Sequence, residues 1–248
     1  MKKVFLILIL FLSCYFVYMK TEENKKNYLV IGDSLSKGIN EYGVVSYGYS
    51  DFVKDYLEEN HILKSYNNTF TNIDYKVSDI VNILEYNKSK NNLTLNRLIK
   101  EADIITISLG LQEIYYKVGK NSQNIYTYID NMINNYNKIL SYINKFHHDK
   151  VYILGYYNST KNNEDIINYA NYKLKDLTKK YNYIYVDLSP ILSNNPIYIS
   201  QVNNNYLPNI KGYQKISQII VEKIKNNWYN IPCNFITMTF CHGGRREE

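Results

Sequence analysis

From residue 28 onward, short apolar runs alternate with longer segments of helical period. Tyr28–Ile31, Thr69–Ile73, Asp103–Ser108, Val151–Gly155 and Tyr183–Val186 read as buried strands. Between them, helical patterns run from about Ser50 to Glu59, from about Ser78 to Tyr86 and around Leu93–Lys100. The clearest helix spans about Ser122 to Phe146, where Ile125, Ile129, Met132, Tyr136, Ile139 and Ile143 recur at steps of three and four and mark one buried face. Two more follow, from about Glu164 to Tyr181 and from about Ile210 to Trp228. The last carries Tyr213, Ile216, Ile220 and Ile224 on one stripe. Strands alternating with helices predict βαβ units with right-handed crossovers. The expected fold is therefore an α/β, three-layer α/β/α sandwich around a mostly parallel five-stranded sheet, with no internal repeat.

The two ends break this pattern. Met1-Lys2-Lys3 followed by the apolar run Val4 to Met19 has the layout of an export signal, a positive start and then a hydrophobic stretch. The run goes straight into Lys20-Thr21-Glu22-Glu23 without a small-x-small cleavage site, which favours an uncleaved signal-anchor over a removed signal peptide. The lysines would then stay inside and the domain would face the exterior. The expected organisation is a leader at 1–19, a charged tether at 20–27, one globular domain at 28–230 and an irregular tail at 231–248. The expected location is the outer face of a membrane, held through residues 4–19, or the secreted space.

Composition narrows the function. The chain has 248 residues, a net charge of +6 and 28 tyrosines. Basic charge and aromatic surface together can bind nucleic acid. Here the lysines are scattered among Asp and Glu without a basic stripe, so nucleic acid is not an expected partner. Cys14 sits in the apolar leader and reads as a small hydrophobe. Cys233 and Cys241 lie in the tail, where an oxidising compartment would let them pair, but their spacing to His242 matches zinc sites poorly. The sequence points to no metal or organic cofactor, and oligomeric state is not readable from it.

The candidate chemistry is in Ile31-Gly32-Asp33-Ser34-Leu35-Ser36-Lys37-Gly38, directly after the first strand. A buried strand that runs into Gly-Asp-Ser presents a hydroxyl nucleophile at the strand's carboxyl end, where open α/β sheets place their sites. Read alone, Gly-Asp-Ser is also a plain turn sequence.

This opening resembles that of the GDSL, or SGNH, hydrolases, and the resemblance extends over residues 28 to about 226. It implies a flavodoxin-like α/β/α sandwich and hydrolysis of esters or related acyl bonds on small acylated or glycan substrates. Ser34 takes the nucleophile position, and Asp33 takes that of the turn's acidic residue, as a supporting rather than catalytic group. Tyr47-Gly48-Tyr49 opens the first helix as the family often does. The oxyanion set that the resemblance implies is the Ser34 backbone N–H, a second-block Gly and a third-block Asn. In this chain Asp74 stands at the Gly position, within Asp74-Tyr75-Lys76-Val77-Ser78-Asp79-Ile80. Gln112 stands at the Asn position, within Gly110-Leu111-Gln112-Glu113.

The last block should carry the catalytic Asp-x-x-His pair before Pro-Asn-x-x-Gly-Tyr. Here Pro208-Asn209-Ile210-Lys211-Gly212-Tyr213 matches the second half, while Asn204 occupies the Asp position and Leu207 the His position. Leu207 has no proton acceptor, so Ser34 would lack the base that makes a hydroxyl nucleophilic near neutral pH. His61, His147 and His148 are expected at the far edge of the sheet, and His242 lies beyond the last helix. Asp187 falls at the correct edge, but the family's acid does not come from there. Two functions remain open on sequence: an exported ester hydrolase with weakened chemistry, or a catalytically inactive binding protein of the cell envelope that keeps the cleft.

Overall fold

The computed structural model describes Leu12 and residues 25–120, 123–148, 150–159, 163–200 and 207–229. The leader, most of the tether, the tail, all three cysteines, His242 and Asn204 lie outside the described residues. No helix among the described residues is long and apolar enough to cross a membrane.

Five strands form one sheet: β1 (Lys26–Gly32), β2 (Leu63–Asn67), β5 (Ile104–Ser108), β6 (Val151–Leu154) and β7 (Ile184–Val186). Their order is β2-β1-β5-β6-β7, and every neighbouring pair is parallel. β3 (Ser89–Lys90) and β4 (Leu93–Thr94) make a separate antiparallel hairpin. The helices are α1 (Ser34–Lys37), α2 (Tyr49–Glu59), α3 (Val77–Glu85), α4 (Leu95–Glu101), α5 (Leu111–Gly119), α6 (Ile125–Ile143), α7 (Glu164–Lys180), α8 (Ser189–Leu192) and α9 (Ile210–Tyr229). The expected sandwich is observed.

Sheet order explains the layers. The β1-to-β2 connection moves toward one edge, and all later connections move toward the other. Right-handed crossovers must therefore place α2 on one face and α3, α6 and α7 on the other. The packing agrees: α9 lies against α2, α3 against α6, and α6 against α7. The α6 stripe is buried as its period demands, with Ile133 and Leu140 joining it. On α9, Tyr213, Ile216, Ile220 and Ile224 are buried. The chain reverses its direction of travel across the sheet between β1 and β5. That crevice is the topological switch point, outside the carboxyl ends of two adjacent strands.

The β3–β4 hairpin, which takes Leu93–Thr94 from the expected helix, and the short α1 and α8 are absent from the sequence reading, and two larger elements also differ from it. Thr69–Ile73 is not the second strand; Leu63–Asn67 is. β2 is an edge strand whose side chains are exposed or half-buried, so it carries little hydrophobic signal. Thr69–Ile73 is a loop that tucks Phe70 into the core and makes a single bridge from Thr71 to Gly32. The second difference is α5, a helix where the sequence reading placed none. Leu111 and Ile114, three residues apart, are buried on it, and Val118 packs partly against the core.

Candidate active site

β1 ends at Gly32, and the chain turns at once into α1. A side chain at Gly32 is excluded by space. A Cβ there would lie 2.1 Å from Ser36 Oγ and 2.3 Å from the Ser108 carbonyl oxygen. This close approach lets α1 fold back over the strand ends. Ser36 Oγ lies 2.5 Å from Ser108 Oγ and 3.0 Å from the Tyr49 hydroxyl, which ties α1 to both β5 and α2.

Asp33 caps α1 through one carboxylate oxygen, which accepts the Leu35 N–H at 3.2 Å. Its other oxygen accepts the Gly110 N–H at 3.1 Å, across to the turn that leaves β5. The carboxyl group is buried, and burial raises its pKa from 3.8 to about 7 against the opposing effect of the two N–H donors. Asp33 is thus a brace between the two turns of the crevice.

Ser34 is the first residue of α1, 5% exposed, and its Oγ has no hydrogen-bond partner among the described residues. Its N–H belongs to the first turn of a helix and has no intrahelical acceptor. A hydroxyl and a free N–H on one residue are what acyl transfer needs at a nucleophile, one to attack and one to hold the oxyanion.

Gly110 caps α5 with φ 102°, in the left-handed region. A Cβ there would meet Met132 Sδ and the Tyr156 hydroxyl, each at 2.9 Å. Gln112 follows on the first turn of α5, half-buried and without a side-chain hydrogen bond among the described residues. Glu113 faces elsewhere. Its carboxylate accepts the Val77 N–H at 3.1 Å, at the start of α3, and the Tyr128 hydroxyl at 2.7 Å.

The other sequence-predicted positions are less favourable for chemistry. Asp74 sits exposed on the loop before α3, and its N–H is already donated to Asn72 Oδ1 at 3.3 Å. Asn204 falls outside the described residues. Leu207 is 4% exposed, just before α9. The matching half of the last block is architectural. Asn209 Oδ1 accepts the Gly212 N–H at 3.0 Å as the α9 cap. A Cβ on Gly212 would meet the Tyr198 carbonyl oxygen at 2.4 Å. Tyr213 donates to the Ile39 carbonyl oxygen at 2.5 Å, joining α9 to the loop that leaves α1.

The described histidines are at the opposite edge. His61 follows α2 and precedes β2, and the Ile62 carbonyl beside it bonds the N–H of Lys26 at the start of β1. His147 and His148 precede β6; the His147 ring bonds the Ile99 carbonyl, and its own carbonyl accepts from Tyr183. The seven residues of β1 separate that edge from Ser34, roughly 20 Å of strand. Among the described residues, no three His, Cys, Asp or Glu side chains group as metal ligands would.

A serine on the turn leaving the inner strand β1, braced to the turn after the central strand β5 in a sheet of this order, defines the SGNH class of α/β/α hydrolase folds. The family model for GDSL-like Lipase/Acylhydrolase matches residues 28–220, and the chain belongs to that family. Solved structures share the fold. The lipase Lip_vut3 from a goat rumen metagenome is 20% identical with a TM-score of 0.67, the match covering 80% of this chain and 97% of that one. The acetylxylan esterase Axe2 from Geobacillus stearothermophilus is 14% identical with a TM-score of 0.61, the match covering 80% and 94%. LAE5, an alpha/beta hydrolase enzyme from the metagenome of Lake Arreo, Spain, is 13% identical with a TM-score of 0.59, covering 79% and 94%. No curated protein matches the sequence.

Proposed function

We propose that this GDSL-family chain is an exported ester hydrolase of low turnover, acting on small acyl esters at the cell envelope through Ser34. The observation that carries the reading is the Ser34 pair of groups: a buried, unpartnered Oγ beside an N–H free to hold an oxyanion. Ser34 Oγ would add to the acyl carbon, and its proton would leave with the alcohol as the old ester bond breaks. Water would then cleave the acyl-serine and return the proton to Oγ. Gln112 and the Ser34 N–H are the oxyanion donors in this reading, and Asp74 contributes nothing because its N–H is occupied.

Slow turnover follows from the base. In Axe2, variants described as catalytic mutants replace a Ser, an Asp and a His, the last two three residues apart. The equivalent spacing here, by the sequence resemblance, holds Asn204 and Leu207. Serine triads stripped of a member keep about 10³- to 10⁴-fold over water, from the oxyanion hole and binding alone. The full-length protein in a neutral detergent should hydrolyse p-nitrophenyl acetate and butyrate slowly, and Ser34→Ala should remove that rate. Equal rates would defeat the reading.

A second reading has its own observation. Leu207 is an apolar, buried side chain where a base belongs, which suits a cleft that binds an acylated or glycan ligand without turning it over. Export rests on Lys2, Lys3 and the apolar run 4–19. Residues 4–19 would either anchor the 28–230 domain to the membrane or be removed on secretion. Membrane fractionation with intact mass decides between these, and a cytosolic full-length product would defeat both.

A further inference from the structure

The segments that lead into the strands gather lysines at one edge of the sheet. Lys26, where β1 begins, is in register with Leu63 of β2, next to the exposed Lys64. Its Nζ lies 3.8 Å from Asp103, just before β5. The Lys150 carbonyl accepts the Ile105 N–H at 3.1 Å, which sets Lys150 beside β5 at the start of β6. The His147 ring bonds the Ile99 carbonyl and joins the ends of α4 and α6. There Lys100 holds its Nζ 5.2 Å from the Phe146 ring centroid. Phe146 is 41% exposed, and Lys145, its neighbour in sequence, is exposed as well.

These lysines are scattered in sequence and converge only in the fold. Among the described residues, the acids in the same segments are Glu59, Glu101 and Asp103. Glu101 faces Arg97 at 2.7 Å, and Asp103 faces Lys26. Asp149 lies outside the described residues. The opposite edge mixes acids such as Glu41, Asp74, Glu164 and Asp187 with Lys37, Lys76 and Lys211. Helix C-termini favour cations without any ligand, which accounts for Lys100 and Lys145. It does not account for Lys26, Lys64 and Lys150, which belong to strands or lead directly into them. Nor does it explain an exposed Phe146 among them. Lysines around an apolar aromatic ring are what the boundary between a membrane and water accommodates.

We infer that this amino edge of the sheet is a docking face for an anionic lipid surface. Charge and the path of the chain name the occupant. The apolar run 4–19 ends six residues before Lys26, and six extended residues span at most about 20 Å. The inference rests on the reading that residues 4–19 anchor the domain, and it says which side of the domain the anchor draws down. Close to a negatively charged leaflet, each lysine multiplies association about fivefold. Ser34, at the far end of β1, is then held roughly 20 Å above the docked edge. The esters it meets are those outside the bilayer, not those of the lipids beneath the domain.

The test is lysine acetylation of the full-length protein in vesicles by a membrane-impermeant sulfosuccinimidyl acetate, read residue by residue by mass spectrometry. One vesicle is phosphatidylcholine alone, and the other mixes it with phosphatidylglycerol. In the anionic vesicles Lys64, Lys100, Lys145 and Lys150 should react about fivefold or more slowly than in the neutral ones. Lys76 and Lys211, at the Ser34 edge, should keep their rates. About 1 M NaCl should restore the slowed rates, because screening then acts within about 3 Å. Lys100→Glu with Lys145→Glu, at two exposed positions, should unmask Lys64 and Lys150; should that variant fail to fold, the parent's rates decide alone. Equal rates in the two vesicles overturn the docking face, as does equal slowing at Lys76 and Lys211. Duplex DNA added to neutral vesicles at the same phosphate concentration is the competing polyanion, and slowing as strong as that from lipid overturns a lipid face. Flotation with neutral vesicles reads the anchor by itself. A chain that stays unbound there defeats the anchor reading, while the rates in anionic vesicles still decide the edge.

Discussion

The Asp33 carboxylate accepts the backbone N–H of Gly110 at 3.1 Å, joining residues 77 positions apart in sequence. One buried side chain therefore sets the distance between the nucleophile turn and the third-block turn. Its protonation is linked to stability. Burial raises Asp33 from 3.8 to about 7, so the folded protein holds this proton more tightly than the unfolded chain does. Below about pH 3.8 both states are protonated and the full contribution is present; it is lost as pH rises toward about 7. The loss is on the order of a few kcal/mol. Between pH 4.5 and pH 8, the melting temperature of the parent protein should fall relative to that of Asp33→Asn by about 5 °C or more. Parallel pH profiles for the two proteins would disprove the linkage.

Much of this arrangement could be read before any coordinates. Gly32-Asp33-Ser34 after an apolar run announced a strand that ends in a tight turn, and the α6 and α9 stripes announced the helical layers. What escaped was non-periodic or long-range. β2 pairs only with β1, and its side chains are exposed or half-buried, so the mixed run Leu63-Lys64-Ser65-Tyr66-Asn67 forms a strand without a strong hydrophobic signal while Thr69–Ile73 forms a loop. α5 is legible in principle from Leu111, Ile114 and Val118, a helical spacing of only three apolar positions interrupted by polar residues. No local pattern could reveal that the Asp33 carboxylate reaches the Gly110 N–H, since that bond depends on how two distant turns close on one rim.

Glu113 illustrates how one methylene changes a role. With a Glu side chain, the carboxylate spans from α5 to the Val77 N–H and the Tyr128 hydroxyl at once. Glu113→Asp should lose one of these bonds and Glu113→Ala both, leaving the α3 terminus without its distant cap. Expected destabilisation is about 1 kcal/mol for the Asp variant and about 2 kcal/mol for the Ala variant. Urea denaturation checks the order; an Ala variant as stable as the parent would remove Glu113 from the account of α3.

Gly32 should tolerate no side chain. The atoms a Cβ would meet include the Ser108 carbonyl oxygen at 2.3 Å, which belongs to a central strand and cannot swing away. Gly32→Ala should cost about 3 kcal/mol or more through overpacking and displacement of α1. Gly119→Ala is the control, because a Cβ there meets nothing within 4 Å. Chemical denaturation of the pair should separate them clearly, and similar midpoints would show that α1 does not need its close seat on the strand ends.

The proposed deficit in turnover predicts a gain as well as a loss. Asn204→Asp with Leu207→His would return the Asp-x-x-His spacing to the last block. General-base assistance contributes about 10²- to 10⁴-fold where the geometry is right. Leu207 is buried, so its replacement by a polar ring should also lower stability by about 1–3 kcal/mol. The double variant should therefore melt earlier yet cleave p-nitrophenyl acetate at least about tenfold faster, with a new dependence on pH near the ordinary His range of about 6.5. Adding Gln112→Asn, which shortens the remaining side-chain oxyanion donor, should alter kcat more than KM, because an oxyanion contact forms only in the transition state. A folded double variant with no gain in rate would mean that the missing imidazole is not what limits Ser34. The occupied Asp74 N–H would then be the cause to pursue, with Asn72→Ala as the substitution that frees it.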